Sequence, residues 1–158
     1  MKRFAQLFQS LDQTTKTNAK VAALEAYVRE AKDDDKLWTI ALLSHKRPRR
    51  TVNTGLLRTW AAELAGLPLW LFEESYHIVG DLAESIALVL PKPTETSTRS
   101  LTEWIQVIRA LQDAEELEKK SVITGAWNAL THGERFVFNK LITGGFRIGV
   151  SQKLMTRA

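Results

Sequence analysis

Two stretches about a hundred residues apart run in the same order, and a chain built on such a repeat has few ways to fold. Leu42 to Ala61 reads LLSHKRPRRTVNTGLLRTWA, and Leu141 to Ala158 reads LITGGFRIGVSQKLMTRA. Each passes from two aliphatics into Ser or Thr, then through a basic loop to an amide side chain, Asn53 or Gln152. Each resumes with an apolar pair, Leu56-Leu57 or Leu154-Met155, followed by Arg58 or Arg157. The order describes a helix-loop-helix unit used twice, and so a duplicated domain offering two loops to one extended, repetitive ligand. A nucleic-acid backbone is such a ligand.

The second copy carries the sharper chemistry. Gly144, Gly145 and Gly149 let the backbone reach positive φ and approach a partner closely, and Ser151 is a good cap for a following helix. Amides at the start of that helix point outward, where the dipole favours an anion, with Arg147 and Lys153 on either side. A glycine-rich turn between helices serves equally often as a mere connection. The upstream copy tips the balance towards phosphate binding.

Charge is distributed to match. The net charge is only +4, but Ser44 to Ala62 holds Lys46, Arg47, Arg49, Arg50 and Arg58 with no acid, and Phe136 onward holds Lys140, Arg147, Lys153 and Arg157 with none. Those nine of 22 basic residues leave thirteen against all 18 acids, so the remainder nets −5. A basic face on an acidic body is the footprint of a polyanion binder. At 158 residues and 44% hydrophobic content the chain can pack a core as one domain or two small lobes. The absence of cysteine excludes disulfides and thiolate metal sites. MKRFAQLFQSL is too polar for a signal sequence and no run approaches a membrane span, so a cytoplasmic protein without membrane contact is expected.

Periodicity is helical throughout. Phe4, Leu7, Phe8 and Leu11 predict a helix over 2–11, and Val21, Leu24, Val28 and Ala31 a second, capped by Thr15 or Thr17. Asp33-Asp34-Asp35 closes that helix and caps the next, which carries Trp38 through Leu43 into the first basic loop, where Pro48 prevents helix. Asn53 caps a helix with Leu56, Leu57, Trp60, Ala61 and Leu64 on one face, ended by Gly66 and Pro68. Residues 69–90 break at Gly80, where Asp81 and Glu84 form a capping box. PKPTETST, 91–98, is a linker that divides the chain into lobes of about 1–90 and 99–158. Ser100 and Glu103 cap a helix through Leu111, a longer helix runs through Leu117, Ile123, Trp127 and Leu130, and Gly133 separates it from the final unit. The expected fold is all-α, about ten helices in two pseudo-symmetric lobes, with no sheet.

Other constellations are weak. Glu74 and His77 have the i, i+3 spacing of carboxylate-bridged metal bundles, with Asp81 a turn on, but no second Glu-x-x-His occurs. Acids that cap and pair at a surface explain the stretch from Phe72 to Glu84 more simply, and no metal site is expected. Ser75 with His77 lacks a glycine elbow, and no Gly-Lys-Ser/Thr follows the loop at Thr143 to Gly149. Five tryptophans at helical spacing read as core rather than as base-stacking platforms. The residues therefore describe a helical, backbone-directed nucleic-acid binder without catalytic groups. A helical protein-interaction module whose basic loops meet an acidic partner, and a metal-dependent enzyme around Glu74 and His77, stand as alternatives.

FAQLFQSLDQTTKTNAKVAAL, WLFEESYHIVGDLAESIALVLP and ERFVFNKLITGGFRIGVSQKLMTRA together resemble the N-terminal DNA-binding domain of bacterial ATP-dependent DNA ligases. That domain is similar to the one preceding the catalytic core in archaeal and eukaryotic replicative ligases. The resemblance covers nearly the whole chain. It implies a monomeric, all-helical domain that grips nicked double-stranded DNA from the minor-groove side without reading sequence. Its DNA contacts fall on Ser44, Lys46, Arg47, Arg49 and Arg50 in one loop, and on Lys140, Thr143, Gly144, Gly145, Arg147, Gly149, Ser151, Gln152 and Lys153 in and around the other. His45 departs from the family pattern, which has glycine after Ser44, and a positive φ there would strain the loop. Ligases of this kind carry AMP on the lysine of a Lys-x-Asp-Gly motif, absent from this chain, in a nucleotidyltransferase domain that precedes an OB domain. The resemblance therefore implies no catalytic residue and no cofactor in this chain, which is expected to be inactive alone, with ATP and Mg2+ used by a full-length ligase.

Overall fold

The structure, a computed structural model, describes residues 1–14, 16–43 and 52–143. Among these residues there are nine α-helices, one 3-10 turn and no strand, so the fold is all-α. The N-terminal half holds α1 (Lys2–Asp12), α2 (Thr17–Glu30), α3 (Asp33–Leu43), α4 (Thr54–Ala65), α5 (Leu69–Val79) and α6 (Leu82–Val89). After residues 91–98 come α7 (Leu101–Ala110), the 3-10 turn Leu111–Asp113, α8 (Glu116–Ala129) and α9 (His132–Thr143).

The apolar stripe of α1 buries Phe4, Leu7, Phe8 and Leu11, the four residues its spacing singles out, against α2 and α9. Helix α4 begins at Asn53, whose side chain accepts from Gly55 N–H at 2.7 Å. Glycine suits this position because a Cβ on Gly55 would stand 3.0 Å from the same Asn53 oxygen. Gly66 and Gly80 end α4 and α5 in the left-handed conformation, with φ of 69° and 81°. The break at Gly80 is followed by Asp81, whose carboxylate accepts from Glu84 N–H at 3.1 Å and opens α6. Ser100 and Glu103 form the reciprocal capping box of α7.

Three local expectations are corrected. Thr17 does not cap α2: Lys16 is the cap residue and Thr17 the first helical residue, while Thr15 lies outside the described residues. Gly133 does not separate α8 from α9, since it lies within the first turn of α9. The cap there is Thr131, whose hydroxyl and N–H donate to Glu134 Oε1 at 2.8 and 3.1 Å. Glu134 N–H returns to the Thr131 hydroxyl at 3.5 Å, so Thr131-x-x-Glu134 was a readable capping signature. The tryptophans also divide: Trp60, Trp104 and Trp127 are buried and Trp38 partly so, but Trp70 is 67% exposed on α5.

One cluster of buried side chains draws on every helix and spans both sides of residues 91–98. Its main packing is α6 against α9, with α1 also on α9, α4 on α5 and α6, and α3 on α7. Polar ties cross the same boundary. Asp35 Oδ1, the last carboxylate of the acidic run, accepts from the N–H and hydroxyl of Thr102 at 2.9 and 2.6 Å, joining the start of α3 to the start of α7. Asn128 on α8 holds the linker, accepting from Thr94 N–H at 3.1 Å and donating to the Thr94 hydroxyl at 2.6 Å.

Helix α9 is fixed by polar groups in its buried face. Asn139, 1% exposed, accepts from Trp127 Nε1 at 2.8 Å and donates to Ala83 O at 3.2 Å, so one amide joins α8, α9 and α6. Arg135 Nε donates to Trp127 O at 2.6 Å, satisfying a carbonyl in the last turn of α8. Asn139→Ala would leave the buried Trp127 indole N–H unpaired and remove the tie to Ala83 O, a carbonyl that keeps its bond within α6. It is expected to lower unfolding free energy by about 1 to 3 kcal/mol in chemical denaturation. A loss below about 1 kcal/mol would show that water replaces the amide.

Candidate nucleic-acid interface

The two basic stretches are carried by helices whose apolar ends are sunk in the core. Leu42 and Leu43 at the end of α3 are buried, as is Val52 just before the cap of α4. Leu141 and Ile142 do the same at the end of α9. The repeated aliphatic pair ahead of each loop is therefore a core anchor.

Of the residues expected to meet phosphate, Ser44, Lys46, Arg47, Arg49 and Arg50 lie outside the described residues. So do His45, Gly144, Gly145, Arg147, Gly149, Ser151, Gln152 and Lys153. Lys140 and Thr143 are described, both in the last turn of α9. The Thr143 hydroxyl donates to Asn139 O at 2.8 Å. Lys140 Nζ donates to Asp81 Oδ2 and stands 5.4 Å from the centroid of the Phe136 ring. Its side chain is only 13% exposed.

Arg58, the last cation of the first basic stretch, is held in a comparable way. Its Nη1 is 3.5 Å from Glu73 Oε2 on α5, and its guanidinium lies 5.1 Å from the Tyr76 ring centroid. The acids between Phe72 and Glu84 thus divide into caps and partners: Glu73 pairs with Arg58, while Asp81 both caps α6 and pairs with Lys140. Glu74 and His77 are exposed on α5, where His77 stacks beside Tyr76. Among the described residues no three His, Asp or Glu side chains converge as metal ligands would. Among the same residues no helix is long and apolar enough to cross a membrane.

Helical repeats, basic stretches on buried stems and an acidic supporting segment leave the family to be decided by comparison. A family model described as the DNA ligase N terminus matches residues 1–158, the whole chain. The chain belongs to the DNA ligase N-terminal family. No curated protein matches it. Membership ties the chain to DNA ligation and is consistent with a DNA-binding role beside the ligase.

Sequence reasoning marked the two basic stretches and gave no partner for Lys140 or Arg58. Lys140 and Asp81 are 59 residues apart, and nothing local in either segment announces the pair. Composition does not single this segment out either, since Asp113, Glu115, Glu116 and Glu118 form a denser acidic run between the same two basic units.

Burial pushes the Asp81 carboxyl up, but the Lys140 ammonium and the N–H groups of Glu84 and Ala83 pull it further down, leaving it below its ordinary 3.8. A depressed carboxyl stabilises the fold above its unfolded pKa and loses that contribution as pH falls through the folded one. Asp81→Asn keeps a capping oxygen and removes the charge. At neutral pH it should be less stable than wild type by up to about 1 kcal/mol, allowing for solvent screening of a part-exposed pair. Denaturation across a pH series should show that gap constant down to about pH 4 and closing in more acid solution. A gap that persists at low pH would assign the loss to packing.

Proposed function

We propose that this chain is the DNA-binding region of an ATP-dependent DNA ligase of the bacterial kind, gripping nicked duplex by its phosphates without reading sequence. The observation that carries the reading is the family match over residues 1–158, on a chain whose two basic, acid-free stretches each follow a buried aliphatic pair. Backbone contacts fix a protein on DNA while carrying no sequence information, which suits an enzyme that must seal any nick.

In this reading the contacts come from two loops. Ser44, Lys46, Arg47, Arg49 and Arg50 serve one lobe, about 1–90, and Thr143, Gly144, Gly145, Arg147, Gly149, Ser151, Gln152 and Lys153 the other, about 99–158. The glycines admit the sugar-phosphate chain, and the cations replace its counterions. The chain works as a monomer and supplies affinity and alignment, holding the two ends of a nick in line. Sealing itself belongs to nucleotidyltransferase and OB domains of a full-length ligase that uses ATP and Mg2+. Without a Lys-x-Asp-Gly motif the 158-residue chain seals nothing alone.

Fluorescence-anisotropy titration with nicked and intact duplexes at several salt concentrations tests this. Six phosphate contacts give a slope of log K against log salt of about −5, equal for unrelated sequences. A flat salt response, or no binding at low salt, would move the basic loops to an acidic protein partner. Arg147→Ala should weaken binding to every duplex alike, with little change in thermal stability. A loss confined to certain sequences would mean that Arg147 reads bases.

A further inference from the structure

The acidic segment that runs through α5 to the cap of α6 reaches both basic units. Glu73 holds Arg58 on α4, the helix entered after residues 44–51. Asp81 holds Lys140 on α9, the helix that leads into residues 144–158. A single turn at Gly80 separates the two acids' helices, and its left-handed backbone together with the Asp81 cap fixes the angle between them. Each cation is also seated against an aromatic ring, Arg58 on Tyr76 and Lys140 on Phe136. Asn139 adds a bond from α9 to Ala83 O in the first turn of α6.

Carboxylates beside a polyanion-binding face carry an electrostatic penalty, because each repels the phosphates its neighbouring cation would attract. Their presence at both loop-bearing helices calls for a compensating role. Resting on the DNA-binding reading above, we propose that Glu73 and Asp81 are positioning residues: through Arg58 and Lys140 they hold α4 and α9 at one fixed relation, so that both basic loops engage the same duplex. Lys140 then acts on DNA through the helix it anchors. The proposal sets two effects against each other with opposite signs. Neutralising either acid raises the net charge and favours DNA by simple electrostatics, whereas loss of alignment disfavours it.

The test is anisotropy titration of the 158-residue chain with one nicked duplex at one salt concentration, with circular-dichroism melts showing each variant folded at the assay temperature. Glu73→Gln and Asp81→Asn are each expected to weaken binding about two- to fivefold, although each removes a negative charge. Unchanged or tighter binding overturns the proposal. A second pair of variants separates alignment from charge. Glu73→Arg sets two cations against each other, and adding Arg58→Glu restores an opposite-charge pair while returning the net charge to that of wild type. Alignment requires the double variant to bind more tightly than the single one, despite carrying less positive charge. The reverse order removes the bracket while leaving DNA binding intact. Failure of the wild-type chain to bind duplex in a salt-dependent way removes the DNA reading itself, and the positioning role with it.

Discussion

A helix packed against several others must satisfy its inward polar side chains within the protein, and α9 does this through Asn139. One buried amide accepts from the Trp127 indole N–H of α8 and donates to Ala83 O on α6. Leaving the indole N–H unpaired costs on the order of 1 to 3 kcal/mol, so slippage of α9 against α8 is penalised. Apolar packing alone would tolerate slippage, since many hydrophobic arrangements of similar volume are nearly equivalent. The polar bonds select one of them and thereby fix where α9 ends.

Charge is organised around the same framework. The body keeps several of its cations occupied: Lys120 with Glu63 at 2.9 Å, Arg99 over Trp104 and Arg109 over Trp38. Its acids serve as caps and ties, with Asp35 on Thr102 and Asp81 on both Glu84 N–H and Lys140. The acid-free stretches beginning at Ser44 and Phe136 therefore stand out against a body that nets −5. Long-range attraction of a polyanion depends on that contrast more than on a net charge of +4.

Much of this was legible in the sequence where the governing physics is local. The i, i+3, i+4, i+7 pattern of α1, the Asn53 cap, the glycine stop at Gly66, the break at Gly80 and the Ser100-Glu103 box all depend on residues within a turn or two of one another. Thr131-Glu134 belonged to the same class and was obscured by Gly133 beside it, a residue that reads as punctuation but lies in open space on the first turn of α9. Trp70 misled differently: its helical register among aliphatics promises burial, and only the packing of α5 against α4 and α6 shows that it stands 67% exposed. At the candidate site, charge and glycine content marked the two loops, whereas the carboxylates that steady their helices are joined to them by tertiary contact alone.

The packing of α9 on α1 and α6 also shapes how the chain acquires its structure. One of the two partners for the apolar stripe of α1, and the partner for most of the inner face of α6, lies between His132 and Thr143. An N-terminal half emerging from the ribosome can form helices and pack α1 on α2, but it cannot close the rest of its core until α9 has been synthesised. Its sequence-distant contacts carry a loop-closure entropy before they return any burial, which slows folding relative to a bundle of consecutive hairpins. The interval between synthesis of α6 and arrival of α9 is the period in which Phe8, whose ring meets Phe136, and the face of α6 that packs on α9 are open to other chains.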